Sequence, residues 1–155
     1  MQKLLIKTLG LIAIVAVVYF GNKLVHTQLG KAALAELPFT VHSLEDATKI
    51  AEQSGKVVLA DYSAIWCPSC RKLDTQVLAN SLVADTIQKG FVFARLDHDT
   101  SEGQAFAAKH NLSGFPRVLV LNTRGDKITE MPLTFEPSAY NSNLIKVMNS
   151  IAPSS

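Results

Sequence analysis

Cysteine is nearly absent from this chain: there are two, at positions 67 and 70, among 155 residues. No third or fourth Cys exists to complete a structural zinc site or a separate structural disulfide. Any sulfur chemistry therefore happens at one place. A strong excess of positive charge is also missing. Residues 38–155 carry eleven Lys or Arg against twelve Asp or Glu. They show no basic stripe, so nucleic acid is not the expected partner. There is no internal repeat and no low-complexity tract.

The hydrophobic fraction of 48% is on the high side, and part of the excess sits at the start. Residues 8–20 read TLGLIAIVAVVYF, without charge or Pro, behind Lys3 and Lys7. A basic start followed by an apolar run is the pattern of a secretory signal or a signal anchor. Counted over residues 4–20 the run is 17 long, the lower limit for a membrane helix, with Lys7 placed to snorkel. A cleaved signal needs a small-residue site close behind the run. The first A-x-A match behind the run, residues 33–35, lies fifteen residues past Phe20. An uncleaved anchor is expected, with a cleaved signal as the alternative. Lys3 and Lys7 place the N-terminus in the cytoplasm and the remainder outside, although Lys23 and Lys31 on the far side weigh against that orientation. The organisation read from the chain is an anchor over 1–24, a stalk over 25–37 that good helix formers could extend, and one domain over 38–155.

Within the domain, Ser43 and Asp46 resemble a capping box, and Leu44, Ala47, Ile50 and Ala51 make a helical apolar face that Gly55 stops. KVVLADYS reads as a buried strand interrupted by one acid. Helices follow over about 68–79 and up to Gly90, then the strand FVFARL, then a helix to about His110. Strands over 118–122 and 127–131 flank the turn signal Thr123-Arg124-Gly125-Asp126, and a helix closes over 137–151. The order predicts an α/β fold with a central mixed sheet and helices on both faces.

The chemistry concentrates in Trp66-Cys67-Pro68-Ser69-Cys70. A C-x-x-C beside a β-α pattern reads as a thiol–disulfide redox site. The attacking species is a thiolate, and a helix N-terminus stabilises it with unpaired N–H groups and the positive end of its dipole. Pro68 suits the first turn of a helix. Cys67 therefore falls at the helix start as the nucleophile, and Cys70 one turn in as the resolving thiol. Asp61, an acid in an apolar strand six residues before Cys67, is a candidate to accept the Cys70 proton. Arg95 is a candidate partner for it. Pro116, in Gly114-Phe115-Pro116 ahead of a strand, is the third element, because a cis bond there would orient backbone toward a substrate chain. His98 is read as a solvated loop residue, Met131 and Met148 as core.

Taken together, VVLADYSAIWCPSC with the later GFP resembles the thioredoxin fold. The stretch CRKLDTQVLANSLVADTIQKGFVFARLDHD is similar to the C-terminal domain of DsbD-type thiol:disulfide interchange proteins. The resemblance covers about residues 40–151. It implies that Trp66 packs beside the active site, that Cys67 and Cys70 cycle between dithiol and disulfide without a further cofactor or metal, and that Asp61 is the buried acid. It also implies that Pro116 is a cis-proline facing the cysteines, with Phe115 offering its backbone to a substrate strand. Phe115 is bulkier than the usual residue there, and Arg117 replaces a frequent Thr.

The expectation is a membrane-tethered, extracytoplasmic protein-disulfide reductase. It would exchange disulfides with exported client proteins and draw on a separate membrane electron donor or acceptor. The location expected is the cytoplasmic membrane with the domain on the periplasmic side. Two rival classes remain: a soft-metal module in which Cys67 and Cys70 bind Cu(I) with a Met or His, and a non-catalytic interaction domain.

Overall fold

The computed structural model describes residues 2–151, so Met1 and residues 152–155, at the outer ends of the expected boundaries, lie outside it. The first helix, α1, runs Gln2–Ala35 without a break. Its apolar side chains between Leu9 and Phe20 are exposed at consecutive positions, hence on every face. A helix apolar all round and covered by nothing is suited to lipid. The stretch Lys7–Ala35 is long and apolar enough to cross a membrane.

From residue 23 onward the pattern changes. Lys23, His26, Thr27, Gly30, Ala33, Leu34 and Leu37 are buried or half-buried, while the residues between them are exposed. This i, i+3, i+4, i+7 spacing is one helical face. Segment 25–37, expected as a stalk, thus packs on the domain, and Leu37 enters its core. The contact is close at Gly30, where an added Cβ would stand 1.8 Å from the Ile65 carbonyl oxygen. Gly30→Ala should therefore push α1 off the loop ahead of Cys67, at a cost of about 1–3 kcal/mol for overpacking. Trp66, the single tryptophan, lies against this helix, so a red shift of its emission and faster hydrogen exchange over 23–37 would report the change. Unaltered emission and exchange would mean that the docking is not tight.

The domain follows the expected order. Helix α2, Leu44–Ser54, is capped by Ser43, whose Oγ accepts the Asp46 N–H at 3.1 Å. The left-handed Gly55 (φ 68°) ends it. Strand β1, Val57–Ser63, is buried at every position after the first. Next come α3, Pro68–Leu73, and a single π-helical turn, Asp74–Leu78. They are followed by α4, Ser81–Gly90, β2, Phe91–Asp97, and α5, Ser101–His110. The chain finishes with β3, Arg117–Leu121, β4, Lys127–Glu130, and α6, Pro137–Ile151.

The sheet order is β2-β1-β3-β4, with β1 parallel to β2 and antiparallel to β3, and β4 antiparallel to β3. The fold is a mixed sheet between two layers of helices. Side-chain alternation sorts the core. Leu59, Phe91, Phe93, Val118 and Val120 pack with Leu73, Val77, Ile87 and Leu144 on one face. Val58, Ala60, Tyr62, Ala94 and Leu119 pack with Ala47, Ala51 and Phe106 on the other.

Candidate functional site

Beyond Ser63 the chain turns, and the Cys67 N–H closes the turn on the Ala64 carbonyl at 2.9 Å. Cys67 is the N-cap of α3, with extended dihedrals, and Pro68 takes the first helical position, where no N–H is needed. The Cys67 Sγ accepts the Cys70 N–H at 3.1 Å and lies 3.1 Å from Ser69 Oγ. The helix end thus aims its unpaired donors at this sulfur. Cys67 and Cys70 are joined as a disulfide, with Cα atoms 5.3 Å apart. Both are buried, in a small cluster with Ala64 on which Trp66 and Phe115 pack.

The Phe115–Pro116 peptide bond is cis. The Phe115 ring meets Trp66 edge-on at 5.5 Å between centroids, His98 at 5.2 Å and Tyr62 at 6.2 Å. His98 lies in the turn after β2, a loop position as expected from sequence, but it is not fully solvated. It is half-buried, and its Nδ1 lies 2.6 Å from the Tyr62 hydroxyl. The bulky Phe115 accounts for this, since its ring needs walls and Tyr62, Trp66 and His98 supply them. Arg117 turns toward β4, where its Nε lies 2.5 Å from the Glu130 carboxylate. The Arg117 guanidinium there, with Lys127 beside it, holds the Glu130 carboxyl below its usual range. Beside Pro116 a groove of about 360 Å³ opens between Arg117, Met131, Leu133 and Tyr140.

Asp61 shares the sheet face of Leu59, and Arg95, its register partner on β2, shares that of Phe93. Both therefore point under the helix that carries Cys70. Asp61 is fully buried. The Arg95 guanidinium lies 3.3 Å from the Asp61 carboxylate, donates to Ser63 Oγ at 2.7 Å, and also binds Asp74. Two carboxylates thus face one cation. Burial pushes the Asp61 carboxyl up to about 6, Arg95 pulls the other way, and Asp74 adds to the rise. Burial raises Asp74 as well, against the pull of Arg95. Burial by itself would lower Arg95, but the two carboxylates outweigh it and hold its charge firmly. Burial, and after it the Asp61 charge, also raise Tyr140, whose buried hydroxyl finds no hydrogen-bond partner among the described residues.

The structure packs Trp66 and Phe115 on the Cys67–Cys70 pair and sets Arg95 against Asp61, a pairing the sequence offered only as a candidate. Sequence reasoning missed Asp74, four residues after Cys70. The signal was available: an acid among Leu73, Val77 and Leu78 on an apolar helix face is costly unless paired. It also missed the π turn that starts at Asp74, where the Ala79 N–H reaches back five residues to the Asp74 carbonyl at 2.9 Å. Asp99 was passed over too. It accepts the Trp66 indole N–H at 2.8 Å and pairs with Lys23 of α1 at 3.5 Å. Lys23 in turn stands 5.4 Å from the centre of the Trp66 ring. Met131 is core, as expected, and Met148 packs over Gly90.

Comparison with known proteins agrees with this geometry. Residues 40–123 match the family model described as thioredoxin-like. The chain is 30% identical over 104 residues to the thiol:disulfide interchange protein DsbD 1 of Pseudomonas aeruginosa, covering 64% of this chain and 17% of that one. It is 35% identical over 63 residues to protein disulfide-isomerase 1 of Dictyostelium discoideum, covering 39% of this chain and 16% of the relative. It therefore spans about a sixth of the length of these two relatives. Among solved structures, the DsbH oxidoreductase superposes with a TM-score of 0.61 at 21% identity, over 73% of this chain and 85% of that one, a likeness of fold. With the family model over more than half of its length and a C-x-x-C disulfide at the start of α3, the chain belongs to the thioredoxin-like family.

Proposed function

We propose that this protein is a thiol:disulfide oxidoreductase tethered by α1 to the cytoplasmic membrane, with its domain on the periplasmic side, and that it reduces disulfides of exported proteins. The observation that carries the exchange reading is Cys67 at the N-cap of α3, its sulfur receiving the Cys70 N–H. In the dithiol form, the Cys67 thiolate attacks one sulfur of the client disulfide. A mixed disulfide forms, and the other client sulfur leaves as thiolate and takes up a proton. The Cys70 thiol loses its proton to Asp61, directly or through water, and its thiolate attacks Cys67 Sγ. The Cys67–Cys70 bond forms, the second client thiolate departs, and two electrons have passed to the client. Trp66 and Phe115 pack on the sulfur pair and, with the cis-Pro116, would receive the client chain. No organic cofactor or metal enters this sequence.

The reducing direction is supported by charge. Asp61 and Asp74 together carry one more negative charge than Arg95 balances, under the helix of Cys70. Excess negative charge disfavours thiolate and so favours the disulfide form, which makes the dithiol the better electron donor. The helix N-terminus opposes this. A separate membrane protein would resupply the electrons. The tether is supported by the lipid-suited surface of α1, and the orientation by Lys7 ahead of the apolar run.

The test is the reduction potential of the full chain in detergent. A value near the thioredoxin figure of about −270 mV supports a reductase, and one near the DsbA figure of about −120 mV overturns the direction. Absence of a reversible couple overturns the exchange reading itself.

A further inference from the structure

The helix that would cross the bilayer is the same helix that touches the redox loop, with no joint between the two. We infer that α1 is a rigid wall of the active site that holds the Cys67–Cys70 couple at the level of the lipid headgroups, so that its preferred substrates are disulfides displayed at the bilayer surface. This rests on the membrane-tethered oxidoreductase proposed above.

The height follows from the helix. The apolar run of residues 4–20 is 17 residues, about 26 Å at 1.5 Å per residue, which nearly fills a hydrocarbon core of about 30 Å. Tyr19 and Phe20 then fall at the boundary, where aromatic rings anchor a span. The headgroup layer beyond is only about 5–7 Å thick on each side. Asn22 and Lys23 lie within that distance along α1; with Tyr19 before them and His26 about 9 Å beyond Phe20, they line one small cavity of about 230 Å³ together with Trp66 and Pro68. Pro68 is the residue after Cys67. The residues on either side of Cys67 therefore share a cavity with the last apolar turn.

The rigidity follows from the contacts. Arg71, next to Cys70, hydrogen-bonds His26 Nδ1 at 3.1 Å. Lys23 reaches Trp66 and Asp99 on one side of the motif. Gly30 brings the α1 backbone against Ile65 with no room for a methyl group. Leu37 fixes the far end in the core. A flexible stalk would let the domain search a hemisphere above the membrane. A docked helix allows only lateral diffusion, with the couple at one height. The exchange itself is unchanged: the dithiol gives two electrons to the interfacial disulfide and closes as Cys67–Cys70.

The proposal can be tested with the reduced full-length protein in phosphatidylcholine vesicles, mixed in single turnover with a membrane-spanning peptide. One version of the peptide carries a disulfide immediately outside its apolar stretch. The other carries it at the end of a long polar extension. A flexible Gly/Ser segment of about twelve residues inserted between Phe20 and Gly21 leaves the docked face intact and lets the domain wander by roughly 20 Å. The wild-type protein should reduce the interfacial disulfide at least tenfold faster than the distant one. The insertion should erase that preference while reduction of a water-soluble disulfide such as oxidised insulin is unchanged. Equal rates on both peptides for wild type, or a preference that survives the insertion, would overturn the inference while leaving the oxidoreductase reading standing. Failure of the wild-type protein to float with the vesicles would overturn the tether, and the inference with it. Loss of insulin reduction in wild type would overturn the oxidoreductase reading.

Discussion

Cys67→Ser is expected to bring disulfide exchange down to the uncatalysed rate, whereas Cys70→Ser is expected to retain the first half of the reaction and accumulate a mixed disulfide. The difference comes from position. Cys67 is at the helix N-cap, with the Cys70 N–H and the Ser69 hydroxyl facing its sulfur. A thiolate there is stabilised, while a serine hydroxyl at the same place stays protonated at neutral pH. In the proposed exchange Cys70 supplies the second attack, and a hydroxyl in place of its thiol cannot break the client bond. Non-reducing gels with mass spectrometry of the captured species separate the cases. Adducts on the Cys67→Ser protein and none on the Cys70→Ser protein would reverse the assigned roles. Full turnover by the Cys67→Ser protein would end the exchange mechanism.

Asp61→Asn is expected to make the protein more stable at pH 8 and slower at resolving the mixed disulfide. The sign follows from linkage. The folded-state pKa of about 6 lies above the ordinary value of 3.8. Well below pH 3.8 the carboxyl is protonated in both states and has no effect. As pH rises from there to about 6 the unfolded chain loses the proton and the folded one keeps it, so stability falls. Above the folded pKa both are ionised and the full deficit remains, about 3 kcal/mol for a shift of this size. Asn mimics the neutral acid and leaves Arg95 paired with Asp74. The variant should therefore gain up to about 3 kcal/mol at pH 8, or roughly 2–4 °C in Tm per kcal/mol for a protein of this length, and only a small fraction of that at about pH 4. Removal of the proton acceptor should slow resolution by roughly 10²-fold. Thermal unfolding at the two pH values and the decay of the trapped intermediate measure the two effects separately. Equal stabilisation at both pH values would contradict the shift, and an unchanged decay would assign Asp61 a purely structural place.

The two results together discriminate function from packing. A carboxylate kept only for structure should destabilise the fold when it is removed. One that destabilises the folded state at neutral pH, yet speeds a step, is explained by the chemistry it performs.

Much of this was legible in the chain. The order of helices and strands follows from local rules: the Ser43 cap, the Gly55 stop, Pro68 at a helix start, the apolar runs in KVVLADYS and FVFARL, and the turn around Gly125. Those are interactions between residues near in sequence, and their geometry repeats wherever the pattern occurs. The C-x-x-C motif is local in the same way, which is why Cys67 and Cys70 could be read with their positions in the helix. The apolar run of α1 is a property of composition alone.

What needed the tertiary structure depends on residues far apart in sequence. Register put Arg95 opposite Asp61, and the π turn brought Asp74 to the same guanidinium. A net charge buried between two strands and a helix is invisible until the three are stacked. His98, in the turn after β2, meets Tyr62 and Phe115 because an aromatic ring of that size must be walled in. The docking of α1 depended on Gly30 meeting the Ile65 carbonyl, and on Lys23 and His26 finding Trp66 and Arg71 much further along the chain. Sequence alone determined which elements form and where the sulfur chemistry is located. Packing alone decided which charges surround that chemistry and how closely α1 docks beside it, because burial and proximity belong to the folded surface and not to the order of residues along the chain.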